Sequence, residues 1–296
     1  LDKLPVGFMA TFEGKRNIHW RSDKPATLAW VEALDKGDPE VDVPYRDALF
    51  QLDAPFTGQP LSLMKMNNRF AGILWGNDRY AVVSDSWWNT RNTRMYLFDP
   101  SNPQHEPRVI DDRNYQDVYS DPGILQSEKN ERGTYTLKMD GEIAYLFGDG
   151  YSAEGQFPFI DALNLKTLEK KRIYQSDAKG EVENLVSFID SKAGTLVTRI
   201  ESPTQYPNYY IRNIKKRMAN IPLTSFVNPF KSIEGVHKEV INYKRADGVA
   251  LSGTLYLPVG YDTEKKEKLP LILWAYPAEY KDKNSAGQST ANPNTF

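Results

Sequence analysis

The sequence predicts a mainly β fold. Residues 1–230 read as a β-propeller with four or so blades visible, expected to be part of a larger propeller, and 231–296 as the first strands of an α/β domain. Three observations predict it. Short apolar or alternating runs bounded by Gly, Pro, Asn and Asp recur along the chain, while helical periodicity is scarce. The runs return in the same order about every 50 to 65 residues, near the spacing of four-stranded blades. That order stops after Asn228-Pro229-Phe230.

The first strand of a blade is read at Asn17-Ile18-His19-Trp20, Gly72-Ile73-Leu74-Trp75 and Asn184-Leu185-Val186-Ser187-Phe188. The second is read at Thr27-Leu28-Ala29-Trp30, Tyr80-Ala81-Val82-Val83, Ile143-Ala144-Tyr145-Leu146 and Thr195-Leu196-Val197-Thr198. These second runs lack clean alternation, as expected of strands covered on both faces. The third is read at Ala48–Asp53, Met95–Asp99, Phe159–Leu163 and Tyr209–Asn213, and closing strands follow at Arg108-Val109-Ile110 and Lys171-Arg172-Ile173-Tyr174. A small sheet cannot bury both faces alone, but blades stacked around an axis can. A β-sandwich would lack the long period. Four blades fit either a small closed ring or an arc of a larger one.

Beyond Phe230, Glu239–Lys244 and Val249–Tyr256 flank Asp247-Gly248, which predicts a β-hairpin with a type I′ turn. Pro258 ends the second strand, and the charged stretch from Asp262 to Lys268 reads as an exposed loop. Leu271-Ile272-Leu273-Trp274-Ala275 is an uninterrupted apolar run, expected to form a strand buried on both faces, as an α/β sheet begins.

Composition narrows the function classes. Of 296 residues, 40% are hydrophobic and 26% charged, enough for a large core. The net charge is -2 with no long basic run, so a nucleic-acid surface is not expected. Lys215-Lys216-Arg217 is too short a patch for one and reads as a solvated strand end. No apolar stretch reaches the roughly 18 residues of a membrane span, so no membrane partner is expected. The absence of cysteine removes disulfides, thiolate metal sites and a Cys nucleophile, without fixing a compartment. The opening Leu1-Asp2-Lys3-Leu4-Pro5 carries no charged-then-apolar leader.

Tyr243-Lys244-Arg245-Ala246-Asp247-Gly248-Val249, Leu255-Tyr256-Leu257-Pro258-Val259-Gly260-Tyr261 and Leu269-Pro270-Leu271-Ile272-Leu273-Trp274-Ala275-Tyr276-Pro277 resemble the entry to the catalytic domain of the prolyl oligopeptidase family of serine peptidases, most of all its glutamyl endopeptidase branch. Ala278-Glu279-Tyr280-Lys281 and Ala286-Gly287-Gln288 extend the likeness. Upstream, Ile18-His19-Trp20-Arg21 with Pro25-Ala26-Thr27-Leu28 resembles a blade of the same branch. The resemblance implies a propeller, usually of about seven blades, that admits peptides to an α/β-hydrolase domain and excludes folded proteins. On that pattern, blades are missing before Leu1 and the hydrolase domain stops at Phe296 ahead of its serine, acid and histidine. The resemblance also favours a periplasmic or secreted location over the cytoplasm.

A serine hydrolase needs its nucleophile in a G-x-S-x-G elbow, and the sequence has none. Gly150-Tyr151-Ser152-Ala153-Glu154-Gly155 is one residue too long, and Pro158 opposes the helix that should follow, so Ser152 reads as a blade loop. His19, His105 and His237 form no i, i+4 pair, so neither a metal nor any other cofactor is expected. Tyr276 is the catalytic candidate. The resemblance implies that its phenol, in the intact enzyme, donates to the developing oxyanion; otherwise it caps a buried strand. Arg91 and Arg94, in Trp87-Trp88-Asn89-Thr90-Arg91-Asn92-Thr93-Arg94, are candidates for holding a substrate glutamate, since a guanidinium grips a carboxylate with two hydrogen bonds. The alternative, which the residue types favour, is an inter-strand turn with solvated arginines and structural Trp residues.

The expected function is therefore part of a serine peptidase cleaving peptides, with the cleavage after glutamate that the resemblance implies, inactive as this chain. The alternative is a non-catalytic propeller that binds peptides or proteins, which would have no use for the run at Leu271–Ala275. That run and an open blade edge predict self-association, or a hairpin folded back on the propeller.

Overall fold

The computed structural model describes residues 5–296 except Ala178, Arg217, Lys266 and Pro277. The opening Leu1–Leu4, the last residue of the basic patch, Lys266 of the charged loop and Pro277 thus lie outside the described residues. Strands dominate. β1 (Arg16–Trp20), β2 (Thr27–Ala33), β3 (Asp47–Asp53) and β4 (Leu61–Met66) form an antiparallel sheet in chain order. β5 (Arg69–Trp75), β6 (Ala81–Trp87), β7 (Asn92–Phe98) and β8 (Arg108–Asn114) form a second of the same order.

A 3-10 turn at Val118–Ser120 leads to β9 (Ile124–Leu125), the hairpin of β10 (Ser127–Lys129) with β11 (Tyr135–Leu137), and β12 (Met139–Asp140). Then come β13 (Ile143–Gly148), the small hairpin of β14 (Tyr151–Ser152) with β15 (Gly155–Gln156), β16 (Phe159–Asn164) and β17 (Lys170–Gln175). The third sheet runs β12-β13-β16-β17, with β9 also on β13. β18 (Val182–Asp190), β19 (Thr195–Ser202), β20 (Gln205–Asn213) and β21 (Ile221–Pro222) make the fourth, again in chain order. β22 (His237–Lys244) pairs with β23 (Ala250–Leu257), and a single short helix, α1 (Lys283–Ala286), is found among the described residues.

The chain divides into two compact units: residues up to Tyr115 with Leu125–Tyr145 and Ala162–Lys170, and Gln116–Ile124 with Leu146–Asp161 and Lys171–Phe296. In the first, the facing sides of the first two sheets share one core: Ala29, Val31, Leu49 and Met66 with Trp75, Ala81, Val83 and Phe98. β2 and β6 each have a strand partner on both sides. Each fully buried Val or Leu there contributes about 1.5–3 kcal/mol.

That unit also seals polar groups inside. Asp85 is fully buried and accepts from the backbone N–H of Asn68 (2.9 Å), Asn68 Nδ2 (3.0 Å) and the Tyr96 hydroxyl (3.1 Å). Burial raises its pKa against these donors, and burial with the Asp85 charge pushes the Tyr96 phenol up to about 12. Asp35 and Asp47, both buried, gather Arg16, Arg46 and Arg69. Arg46 lies 3.8 Å from the Trp87 ring centroid. In the second unit, buried Glu183 accepts from Tyr174 (2.6 Å) and Ser176 (2.8 Å) and pairs with Arg212 (3.3 Å).

Two expectations need correction. The β22–β23 hairpin forms with unbroken pairing from His237↔Leu257 to Lys244↔Ala250, but its turn is not type I′. Only Gly248 has positive φ (86°), Gly248 N–H bonds Arg245 O (2.8 Å) and Arg245 N–H bonds Val249 O (2.9 Å). This is a three-residue loop, a type I turn closed by a left-handed glycine. Asp247 is committed to Arg245 and the Val249 N–H instead of taking the left-handed conformation a type I′ turn demands.

The second correction concerns Leu271–Ala275, which forms no strand. Leu271, Ile272, Leu273 and Trp274 are 81–92% exposed. A buried strand needs hydrogen-bonded neighbours and covering layers, and no described strand pairs with this run.

Candidate functional site

Tyr276, 87% exposed, follows that run and lines a cavity of about 770 Å³ in the second unit. The β22–β23 hairpin supplies Arg245, Asp247 and Thr254 to the same cavity, and the segment beyond Tyr276 supplies Tyr280, Lys281 and Gln288. Its charges are largely paired. Arg245 grips Asp247 through two hydrogen bonds (2.9 and 2.6 Å), and the Asp247 carboxyl is drawn down to about 2 by that grip. Lys281 pairs with Glu279 at 2.8 Å. Among paired charges, the Tyr276 phenol is a neutral donor at the cavity wall, the kind of group that stabilises a developing oxyanion.

The segment after Tyr276 is tied down. Gln116 Nε2 donates to Glu279 O (2.5 Å) while Gln116 Oε1 accepts from the Lys281 N–H (3.1 Å). Gln288 answers from the other side: its Oε1 accepts from the N–H groups of Val118 (2.8 Å) and Tyr119 (3.3 Å), and its Nε2 donates to Asp117 (2.6 Å). That last bond, ahead of a smaller opposing effect of burial, holds the Asp117 carboxyl below its ordinary value. The Ser289 N–H donates to the Tyr119 hydroxyl (3.0 Å). Between these grips, Asp282 caps α1, accepting from the Ser285 N–H (2.8 Å) and Oγ (2.7 Å).

Arg91 and Arg94 belong to the first unit. Arg91 is fully buried in a left-handed conformation (φ 59°), its guanidinium 3.6 Å from the Trp88 ring centroid and donating to Trp88 O. Arg94, half-buried on β7, donates to Asp112 at 2.8 Å. Burial works against its charge, but hydrogen bonds to Asp112 and Tyr96 prevail and raise its pKa.

The Ser152 hydroxyl is used inside its own hairpin, donating to Gly155 O (3.0 Å) and accepting from the Glu154 N–H (3.2 Å). His19 accepts the Trp75 indole N–H at Nε2 (3.1 Å) and bonds Asn17 O through Nδ1 (2.7 Å). His105 sits in the Asn102 turn, and His237 lies 3.8 Å from Glu239. No group of three or more His, Asp or Glu that could hold a metal occurs among the described residues. Sequence reasoning missed Gln116 altogether. Gln288 stood in the stretch that carried the resemblance, but nothing in the sequence marked its partner.

No family model matches the chain. A protein of Oryza sativa subsp. japonica named "Probable glutamyl endopeptidase, chloroplastic" is 38% identical over 310 residues, covering 100% of this chain and 33% of its own length. Its Arabidopsis thaliana namesake is 37% identical over 311 residues, covering 100% and 32%. The chain thus spans about a third of the length of these relatives. Among solved structures, oligopeptidase B of Leishmania major matches 83% of this chain and 39% of its own, with 8% identity and a TM-score of 0.44. Pyrococcus horikoshii acylaminoacyl peptidase matches 81% and 32%, with 14% identity and a TM-score of 0.41. No described helix is long and apolar enough to cross a membrane.

Proposed function

We propose that the chain, 37–38% identical over its whole length to two proteins named probable glutamyl endopeptidase, is part of a serine peptidase of the prolyl oligopeptidase family that cleaves peptides after glutamate. The identity of 37–38% across the whole of this chain carries this reading. In it, residues 1–230 are propeller blades that gate access to the peptidase site. Residues 231–296 open an α/β-hydrolase domain whose Ser-Asp-His triad lies outside this sequence, so the chain alone is inactive. The three sheets β1–β4, β5–β8 and β18–β21, whose strands neighbour one another in chain order, support the blades. The exposed phenol on the cavity wall supports Tyr276 as the oxyanion donor of the intact enzyme.

Of the two arginines, Arg94 keeps part of its guanidinium open to solvent, and a substrate carboxylate would take the place of Asp112 on it. Arg91 would hold the Trp88 turn that presents it. The relatives are named chloroplastic; a periplasmic or secreted location for this chain is a separate proposal, tested by cell fractionation.

The purified chain is expected to leave Glu-containing reporter peptides intact, and their hydrolysis would overturn the inactivity. In the full-length peptidase, Tyr276→Phe should lower kcat by about 10²–10³. An unchanged kcat would remove Tyr276 from the mechanism. The exposed run at 271–275 should make the isolated chain self-associate, and Leu273→Lys should raise the concentration needed about tenfold, near 1.4 kcal/mol. A sedimentation mass independent of concentration in the unaltered chain would refute this.

A further inference from the structure

We propose that Gln116 and Gln288 form a reciprocal amide clamp that positions Tyr276, which makes Gln116 a positioning residue for the oxyanion donor; the inference rests on the role given to Tyr276 above. Among the described residues the run before Tyr276 has no strand partner, and Tyr276 itself is almost fully exposed. An oxyanion donor misplaced by about 1 Å can lose a factor of about 10², so the phenol needs a fixed point nearby. The chain supplies one just after it.

Gln116 bonds the carbonyl of Glu279 and the N–H of Lys281, the two backbone groups that flank Tyr280. This is how one residue of a parallel strand pairs with a neighbour: its N–H goes to the carbonyl before the opposite residue and its carbonyl to the N–H after it. A single side-chain amide, with one donor end and one acceptor end, reproduces that rung. Both bonds go to backbone groups, so they fix the path of the chain whatever side chains the segment carries.

Gln288 repeats the device in the opposite direction, spanning the N–H groups of Val118 and Tyr119 and the Asp117 carboxylate. Each amide grips the segment that carries the other. Asp282 capping α1 and buried Ser285 make the stretch between the grips a closed, hydrogen-bonded spacer. Tyr276 therefore adjoins a segment held at two points, although no described strand pairs with the run that precedes it.

Two measurements test this. In the chain itself, amide hydrogen exchange should show Val118, Tyr119 and Lys281 protected, and Gln116→Ala should speed exchange at Lys281 about tenfold or more, about 1.4 kcal/mol of local opening. Unprotected amides in the unaltered chain would show that no clamp forms. In the full-length peptidase, Gln116→Ala should lower kcat about tenfold or more with KM within about twofold, and should cost nothing further in a Tyr276→Phe background.

Loss of activity in Tyr276→Phe with no effect of Gln116→Ala, or with a full additive effect in both backgrounds, would overturn the clamp while leaving Tyr276 in place. No loss in Tyr276→Phe would overturn the underlying reading instead. Gln288→Glu sets a carboxylate against Asp117 and should behave as Gln116→Ala does. Adding Asp117→Asn restores a donor facing an acceptor and should return kcat, a rescue that a general loss of fold would not show.

Discussion

Thr27–Ala33 and the run 271–275 use the same apolar vocabulary, each with a tryptophan among aliphatic residues, and they meet opposite fates. Ala29, Trp30 and Val31 are sealed, while Leu271, Ile272, Leu273 and Trp274 stand in solvent. The difference is not hydrophobicity. β2 has β1 on one side and β3 on the other, paired without interruption from Thr27↔Asp53 to Ala33↔Asp47, and a second sheet packs against its core face. The later run has no backbone partner among the described residues. Burying it would strand its N–H and C=O groups, each at a cost of about 1–3 kcal/mol. An apolar run states that a segment can be covered, and the neighbours decide whether it is.

The sharpest way to break this contrast is to truncate one leucine in each region. Leu49→Ala, in the shared core of the first two sheets, should destabilise the chain by about 2–5 kcal/mol, through lost burial and the cavity left behind. Leu273→Ala, measured at concentrations below those of self-association, should change stability by less than about 0.5 kcal/mol. Urea unfolding followed by far-ultraviolet circular dichroism gives both. Similar losses at the two sites would mean that the run is covered in solution and that the contrast fails.

The same contrast explains what was legible. Strands were read correctly at Thr27–Trp30 and Thr195–Thr198, and at Tyr80–Val83 except for Tyr80, because local apolar runs are sequence properties, and each strand has a partner on both sides. The hairpin was legible from Asp247-Gly248, but its turn type was not. Whether Asp247 takes positive φ depends on what its carboxylate binds, and Arg245 and the Val249 N–H claimed it. The Gln116–Gln288 clamp was invisible for a stronger reason: its partners are some 170 positions apart and meet only in the fold. Arg91 was misjudged as a solvated turn residue because its cover, the Trp88 ring, comes from the turn's own geometry.

A second test sharpens the comparison for polar groups. Asp85 in the core has a raised pKa and Asp247 on the exposed hairpin a lowered one. Asp85→Ala should cost about 1–3 kcal/mol near neutral pH, since it leaves Asn68 and Tyr96 donors without their acceptor. Because the folded state holds the Asp85 proton more tightly than the unfolded state, its contribution is fully present below the unfolded value near 3.8 and is lost as pH rises through the folded one. Asp85→Asn should remove that falling component from the stability-pH curve. A difference curve that rises with pH instead would reverse the assignment of burial as the dominant cause.

The smallest effect is expected at Asp247, and its sign is opposite. Arg245 donates two hydrogen bonds to the carboxylate, and the Val249 N–H adds a third, so the charged form is favoured and the pKa falls to about 2. The associated stability is present above the ordinary value of 3.8 and disappears as pH drops through about 2. Both partners are exposed, so solvent screens the pair and global unfolding should scarcely register it. The titration itself is the readout. In Arg245→Ala, the Asp247 carboxyl followed by NMR should climb from about 2 toward 3.8, stopping short because the Val249 N–H still donates. If it stays near 2, the turn backbone and not the guanidinium sets the value. The hairpin's polar end would then be organised as the core is, by fixed groups around a carboxylate, and exposure would no longer separate the two regions.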